Sequence, residues 1–551
     1  MGILDPTPPP YDPLEWIQKP LPERGRMVCE SWALQGYGTP SYVYLVYALK
    51  VAAYVFAWFF FCSRSAALGG ISEVATWWLH PTAFLKAILW STGFELLGLG
   101  CGSGPLTGRY LPPVGGFLYF LRPGTTKLPL FERAPLIGGF RRTWLDVGLY
   151  AATLGLLLRA LLSDTPGTQE IAPIVAAFVV LGLADRTLFL AARSEHYWTT
   201  LVCVVFAGNW IAGAKAVALA LWFWAGVSKI GPHFPAVVAV MTSNSPMTRF
   251  AWLRRRMYRR FPDDLRPSGI AVTMAHMGAA LEFGVPILLL LSTGGTSLVV
   301  GMILMLMLHG FITSTVPMGV PIEWNVMVVY GAFALFWAHP EVTVLDLGSL
   351  PLAGFLVVML IALPLAGNLW PHAVSFLLSM RYYAGNWAYG IWLFRGDSVR
   401  KLDRLTKTSP WIYDQLERVY DHRTSVGLVG KVLGFRLMHL HGRALPLLLP
   451  KAVDRYEDYE HVDGEIAAGL VLGWNFGDGH LHRESLLKAV QAQCNFAPGE
   501  LRCVFIEAQP LGGRTQRWRI VDAATGQIDA GELAVAELLR MQPWGPSDPA
   551  P

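Results

Sequence analysis

Apolar runs long enough to approach a bilayer crossing recur along the first two thirds of the chain. A hydrocarbon core of about 30 Å takes about 20 residues of helix. Runs at 41–62, 82–100, 143–163, 170–193, 209–230, 268–292, 296–318, 322–339 and 351–380 are read as spans, and 197–213 is a tenth, weaker one that merges with its neighbour. Beyond about residue 395 such runs stop and charged residues become frequent. There Ala467–Trp474, Leu501–Ala508 and Arg517–Val521 read as strands, Thr525-Gly526 as a turn, and Glu484–Gln493 and Glu532–Arg540 as helices. Trp411, Tyr413, Leu416 and Tyr420 fall near helical spacing, so 395–460 is expected to lie against the membrane face. The pattern predicts an all-α polytopic membrane protein of about 8–10 transmembrane helices with a small C-terminal α/β soluble domain. Its parts are an N-terminal interfacial segment 1–40, a transmembrane domain 41–394 and a C-terminal cytoplasmic domain 395–551. No internal repeat is evident.

Composition agrees. Of 551 residues 53% are hydrophobic and 15% are charged, against about 25% charged in a typical soluble chain. The net charge of +5 is too mild to indicate nucleic acid, and the hydrophobicity excludes an intrinsically disordered chain. The six cysteines form no CxxC pair, so neither a zinc ribbon nor a thioredoxin-like site is indicated. The N-terminus lacks the basic and apolar regions of a cleaved signal peptide, and Pro6 breaks the myristoylation pattern.

Loop charge sets the expected topology. Loop 101–142 carries Arg109, Arg122, Lys127, Arg133, Arg141 and Arg142 against Glu132, and loop 231–267 carries seven arginines against Asp263 and Asp264. Loops 162–170 and 340–350 are acidic. Ten crossings with both termini cytoplasmic satisfy this charge pattern, with eight or nine as alternatives. Within FAWLRRRMYRRF at 250–261, Phe250, Leu253, Met257 and Phe261 share one helical face. The stretch reads either as an interfacial helix meeting anionic lipid headgroups or as ordinary positive-inside charge.

Against this background a few polar residues stand out. Lys229 ends an apolar run, in WFWAGVSKIGPHFP. Burying an ammonium is costly, so such a lysine pairs, snorkels to the headgroups or gives up its proton and becomes a base. Trp222 lies seven residues earlier on roughly the same face, and Gly226 leaves room beside the lysine. Span 268–292 contains His276 and Glu282, about 120° apart on an ideal helix. Span 296–318 contains His309, and Glu323 and Asn325 open the next. Lys229, Glu282 and His309 are the candidate catalytic residues; Trp222, His276, Glu323 and Asn325 are candidate substrate contacts. Glu95, Asp146 and Asp185 lie near span ends and are candidates of the same kind. Asp478, His480 and His482 alternate as zinc ligands do, but read more simply as a polar loop. ELLGLGCGSGPL at 95–106 imitates a nucleotide-binding loop without the strand and helix that such a loop needs. No GxSxG or P-loop motif is present.

AGVSKI at 225–230, ALEFG at 280–284 and LHGF at 308–311 together resemble the vitamin K-dependent gamma-carboxylase-like transmembrane group, including its horizontally transferred bacterial members. The match covers roughly 200–335. In the animal carboxylase a membrane lysine deprotonates reduced vitamin K, so the resemblance implies a base at Lys229 and a membrane quinone as cofactor or substrate. The short C-terminal part departs from the carboxylase. Over the whole chain, ALQGYGTP at 33–40, GWNFGDGHLH at 473–482 and QPW at 542–544 are similar to an uncharacterised bacterial multi-pass family of unknown function. The expected location is the bacterial inner membrane. Expected partners are anionic lipids, a lipid or quinone ligand and a protein docking on the C-terminal part. The functional expectation is a membrane enzyme acting on a lipid or isoprenoid quinone; the alternative is a non-enzymatic lipid-binding, transport or scaffold protein.

Overall fold

Among the described residues, the longest apolar runs form six helices that are long and apolar enough to cross a membrane. These are Ser41–Ser63, Trp144–Leu162, Trp210–Ser228, Gly269–Leu291, Gly295–Thr313 and Leu350–Leu369. Three shorter apolar helices, Thr168–Ala184, Phe234–Asn244 and Ile322–Trp337, pack among them. The computed structural model describes residues 2–100, 108–112, 114–315, 322–374, 378, 381–475, 481 and 483–546.

Among the described residues six helices are candidate spans against the eight to ten expected, and local chemistry shortens the other runs. The run 170–193 breaks at Asp185, whose carboxylate accepts the Thr187 N–H at 3.0 Å and caps a new helix, Arg186–Ala191. The tenth run contributes only Tyr197–Val205. The run at 82–100 yields Pro81–Leu96, 16 residues, or about 24 Å. That helix is buried on nearly every side and holds Lys86 and Glu95 inside the bundle. The charge count of loop 101–142 also changes meaning. Arg109, Lys127 and Arg142 are buried; Lys127 pairs with Asp146 at 2.6 Å and Arg142 pairs with Asp185. They fasten the fold rather than mark a face of the membrane.

The arginine-rich stretch forms a shorter helix than its periodicity predicts. Ala251–Arg256 is helical, and then β1 (Tyr258–Arg260) pairs antiparallel with β2 (Asp264–Pro267). Met257 is buried, while Phe250 and Trp252 are exposed.

A five-stranded sheet gathers the C-terminal part: β3 (Tyr389–Arg395), β4 (Tyr459–Asp463), β5 (Leu501–Ile506), β6 (Thr515–Asp522) and β7 (Gly526–Ala534), in the order β4-β3-β5-β6-β7. Every pairing is antiparallel, and helices of the same region pack beside the sheet. β3 begins before residue 395 and lies between β4 and β5, with Trp392 and Phe394 fully buried. The helix Glu484–Cys494 falls where its pattern predicts. Strand β7 was hidden by its polar sequence, GQIDAGELA, which suits an edge strand facing outward.

Two segments differ from expectation. The run at 467–474 is the helix Gly464–Leu472, not a strand. Asp463 caps it by accepting the Glu465 N–H at 2.8 Å, and Gly473 ends it in the left-handed conformation. It is buried on all sides, so it is apolar all round and carries no helical period. A β-carbon at Gly473 would stand 2.3 Å from the Tyr119 ring. Gly473→Ala is therefore expected to cost about 2–4 kcal/mol through the left-handed backbone and the clash, read as a lower melting temperature of the full chain. The segment 395–460 is enclosed rather than amphipathic over its longest helix. Its main helix, His422–Met438, is buried almost throughout and packs against Leu21–Gln35 of the N-terminal segment. Gly430 and Gly434 allow that approach, since a β-carbon there would come within 2.8 Å of Trp16 and 2.9 Å of Val28.

Candidate functional site

Lys229 caps the C-terminal end of Trp210–Ser228, where its N–H bonds the Gly226 carbonyl at 3.0 Å. Its side chain is 8% exposed and forms an ion pair with Glu282 of Gly269–Leu291. The ammonium also lies 5.3 Å from the centre of the Phe234 ring. Of the three routes open to such a lysine, pairing is the one taken. Only one Glu282 oxygen is engaged; Oε2 is buried with no hydrogen-bond partner among the described residues. The space beside Gly226 is filled by the Phe283 ring, 3.2 Å from where a β-carbon would stand, so this glycine serves the helix crossing rather than leaving room for the lysine.

His309 is tied from both ends. The Trp222 indole N–H donates to His309 Nε2 at 2.9 Å, and Nδ1 lies 2.8 Å from Asn325 Oδ1. An indole N–H can only donate. Nε2 is therefore the acceptor, and the proton sits on Nδ1 and is given to Asn325. The imidazole is held with both ring nitrogens hydrogen-bonded.

These five residues, Lys229, Glu282, His309, Trp222 and Asn325, line one cavity of about 150 Å³. Its walls are mainly apolar and aromatic, including Phe234, Phe311 and Trp324. The other two predicted contacts do not line it. His276 is exposed on the far side of its helix, as its 120° offset from Glu282 requires. Glu323 pairs with Lys50 at 3.3 Å in a second buried cluster, near Glu95, which pairs with Arg193 at 2.7 Å. Glu95, Asp146 and Asp185 are thus all partnered by cations.

Sequence reading missed several lining residues. Arg193, the last residue of the run 170–193, and Glu195, just beyond it, were not singled out; two charges in ARSEH beside a span were their available signal. Tyr382, Tyr383, Phe435 and His439 also line the cavity. They come from segments assigned to other roles, and no local pattern connects them to Lys229. The dinucleotide-like motif runs into 101–107, and Asp478, His480 and His482 also lie outside the described residues. Among the described residues no three His, Cys, Asp or Glu side chains converge as a metal site requires.

The chain belongs to the family of transmembrane proteins of unknown function designated DUF3556, whose model matches residues 1–551. No curated protein and no solved structure matches it.

Proposed function

We propose that this DUF3556 member is a membrane enzyme acting on a lipid or isoprenoid-quinone substrate, with Lys229 and Glu282 as one proton-accepting unit. One observation carries the reading: the paired charges, the tethered His309, Trp222 and Asn325 all face the same apolar cavity. An ion pair in apolar surroundings shares its protons as a unit. The oxygen with a free lone pair is Glu282 Oε2. A substrate proton passing to that carboxylate would leave the Lys229 ammonium without its counter-ion. The ammonium would then hold the substrate anion that forms. His309, with both nitrogens held by Trp222 and Asn325, would act as a fixed part of the wall against which the substrate lies. Two further features fit a lipid setting. Phe311 borders the cavity and is 48% exposed on the outside of the bundle. Phe250 and Trp252 are exposed beside Arg255 and Arg256, a combination suited to anionic headgroups.

A second reading is favoured by the same contacts. Lys229–Glu282 joins Trp210–Ser228 to Gly269–Leu291, and Trp222–His309–Asn325 joins three helices. Polar contacts between membrane helices are worth about 1 kcal/mol each, so these groups suffice as fasteners in a non-enzymatic lipid-binding, transport or scaffold protein. A charge swap separates the two. Lys229→Met and Glu282→Gln are each expected to lower rescue of a gene-deleted strain at least a hundredfold, the scale of lost acid–base catalysis. Lys229→Glu combined with Glu282→Lys should restore the melting temperature but not rescue. Rescue by the swapped pair would make the pair a fastener.

A further inference from the structure

The cavity is closed from two sides. The membrane helices supply Lys229 and Glu282, and the C-terminal part supplies Phe435 and His439. His439 follows directly on the buried helix His422–Met438, and its Nδ1 lies 2.7 Å from the Phe435 carbonyl oxygen. A carbonyl oxygen can only accept. The proton therefore sits on Nδ1, and Nε2 carries a lone pair. Burial pushes the His439 pKa down to about 3, helped by Arg436, His233 and Arg443. His441, stacked on it at 5.9 Å between ring centres, is also neutral, because burial lowers it well below the ordinary histidine range. His439 thus stays a hydrogen-bond acceptor across the physiological pH range.

Each cation that lines the cavity, among the described residues, has an acid partner. Lys229 is matched by Glu282, and Arg193 is matched by Glu95. Glu195 borders the space as well, a second carboxylate beside Glu282. A carboxylate or phosphate headgroup placed here would meet no cation that lacks an acid partner among the described lining residues. It would pay for its desolvation without an ion pair in return. An uncharged headgroup carries no such penalty, and a hydroxyl hydrogen matches the acceptor that His439 presents. The remaining walls are apolar and aromatic and reach Phe311 on the outer flank of Gly295–Thr313.

We propose that the cavity holds an uncharged lipid alcohol whose hydroxyl donates to His439, so that the C-terminal part is a wall of the ligand site and selects against charged lipids. The proposal rests on reading the cavity as a ligand site. It adds what the headgroup is and which residue recognises it.

Oleyl alcohol and oleate share one chain and differ only in headgroup, which makes them the probes. They are titrated into the purified full-length chain, and adducts are counted by native mass spectrometry. Oleyl alcohol should bind at least tenfold more tightly than oleate. His439→Phe removes the acceptor while keeping an aromatic ring, and it should weaken the alcohol at least tenfold. His439→Gln retains an acceptor and should stay within about threefold of the original. Both variants are melted alongside, and the comparison of the two probes on the unaltered chain needs no variant at all. Equal or tighter binding of oleate, or alcohol binding unaffected by His439→Phe, overturns the proposal. The charge swap at Lys229 and Glu282 reads chemistry rather than occupancy, so the two ideas fail separately. Rescue by the swapped pair with alcohol still bound through His439 would retain this site and discard the base. Loss of rescue with oleate preferred would do the reverse.

Discussion

Arg436→Met is expected to destabilise the full chain by about 3–5 kcal/mol near pH 8, the range found when one member of a buried ion pair is removed. Arg436 is fully buried, with Asp463 at 2.5 Å and Glu465 at 2.7 Å. The two acids hold more than the arginine. Asp463 caps the helix Gly464–Leu472, and Glu465 accepts the Trp387 indole N–H at 3.0 Å. Methionine can fill part of the volume but would leave both carboxylates buried without their cation. The loss depends on pH in a definite direction. Burial pushes the Glu465 carboxyl up from 4.5 to about 7, against the pull of Arg436. A carboxyl raised in the folded state makes its full contribution to stability below its ordinary pKa and loses it as pH climbs through the folded value. Without Arg436 that carboxyl rises further. The variant should therefore be most damaged at pH 8 and progressively less so toward pH 5, as Glu465 takes up a proton. Thermal melts of both chains across pH 5–8 check this. A deficit that does not change with pH would mean that packing, not charge, is what the arginine supplies.

Much of this architecture is legible in the sequence, and the failures share a cause. Long apolar runs between polar loops gave Ser41–Ser63, Trp144–Leu162, Gly269–Leu291 and Gly295–Thr313. The amphipathic pattern of Glu484–Cys494 and the alternation of β5 and β6 were equally plain. Burial on every side erased periodicity elsewhere. Gly464–Leu472 reads as a strand because nothing in it is polar, and His422–Met438 is enclosed by contacts from distant parts of the chain. Pro81–Leu96 imitates a span because the interior of the bundle is as apolar as lipid. At the site, Lys229, Glu282 and His309 stood out because a charged or titratable group in an apolar helix is conspicuous. His439 and Tyr382 did not, since a histidine or tyrosine in a mixed sequence is ordinary until the fold carries it to the cavity. What spacing alone could not supply was the partner. Glu323 seemed to belong with His309 by proximity along the chain, yet Lys50, far away in sequence, claims it.

The same distinction predicts the behaviour of Arg142 and Asp185, a buried pair away from the cavity. Both side chains are essentially inaccessible. Arg142 also donates to Thr125 Oγ1 at 2.6 Å, and Asp185 accepts the Leu128 N–H at 3.3 Å and the Thr187 N–H at 3.0 Å. Backbone bonds from Arg186 to Leu128 at 2.9 Å and from Leu130 to Leu183 at 3.0 Å run alongside. Together they dock the loop 124–142 onto the helix break at Asp185. Arg142→Met should cost about 3–5 kcal/mol, because Asp185 is left buried without its cation. Arg142→Met combined with Asp185→Leu should recover most of that deficit, since an apolar pair of similar volume replaces a buried ion pair at little cost. About 1 kcal/mol should remain, the value of the cap that Asp185 gives Arg186–Ala191. Melting temperatures measure the recovery, and proteolysis of the loop in the single variant reports where the damage lies. Under the proposed function, the corresponding apolar double replacement at Lys229 and Glu282 should be equally tolerated in stability yet abolish rescue. A buried pair that can be exchanged for apolar side chains without functional loss is a fastener; one that cannot, while the fold survives, is chemistry.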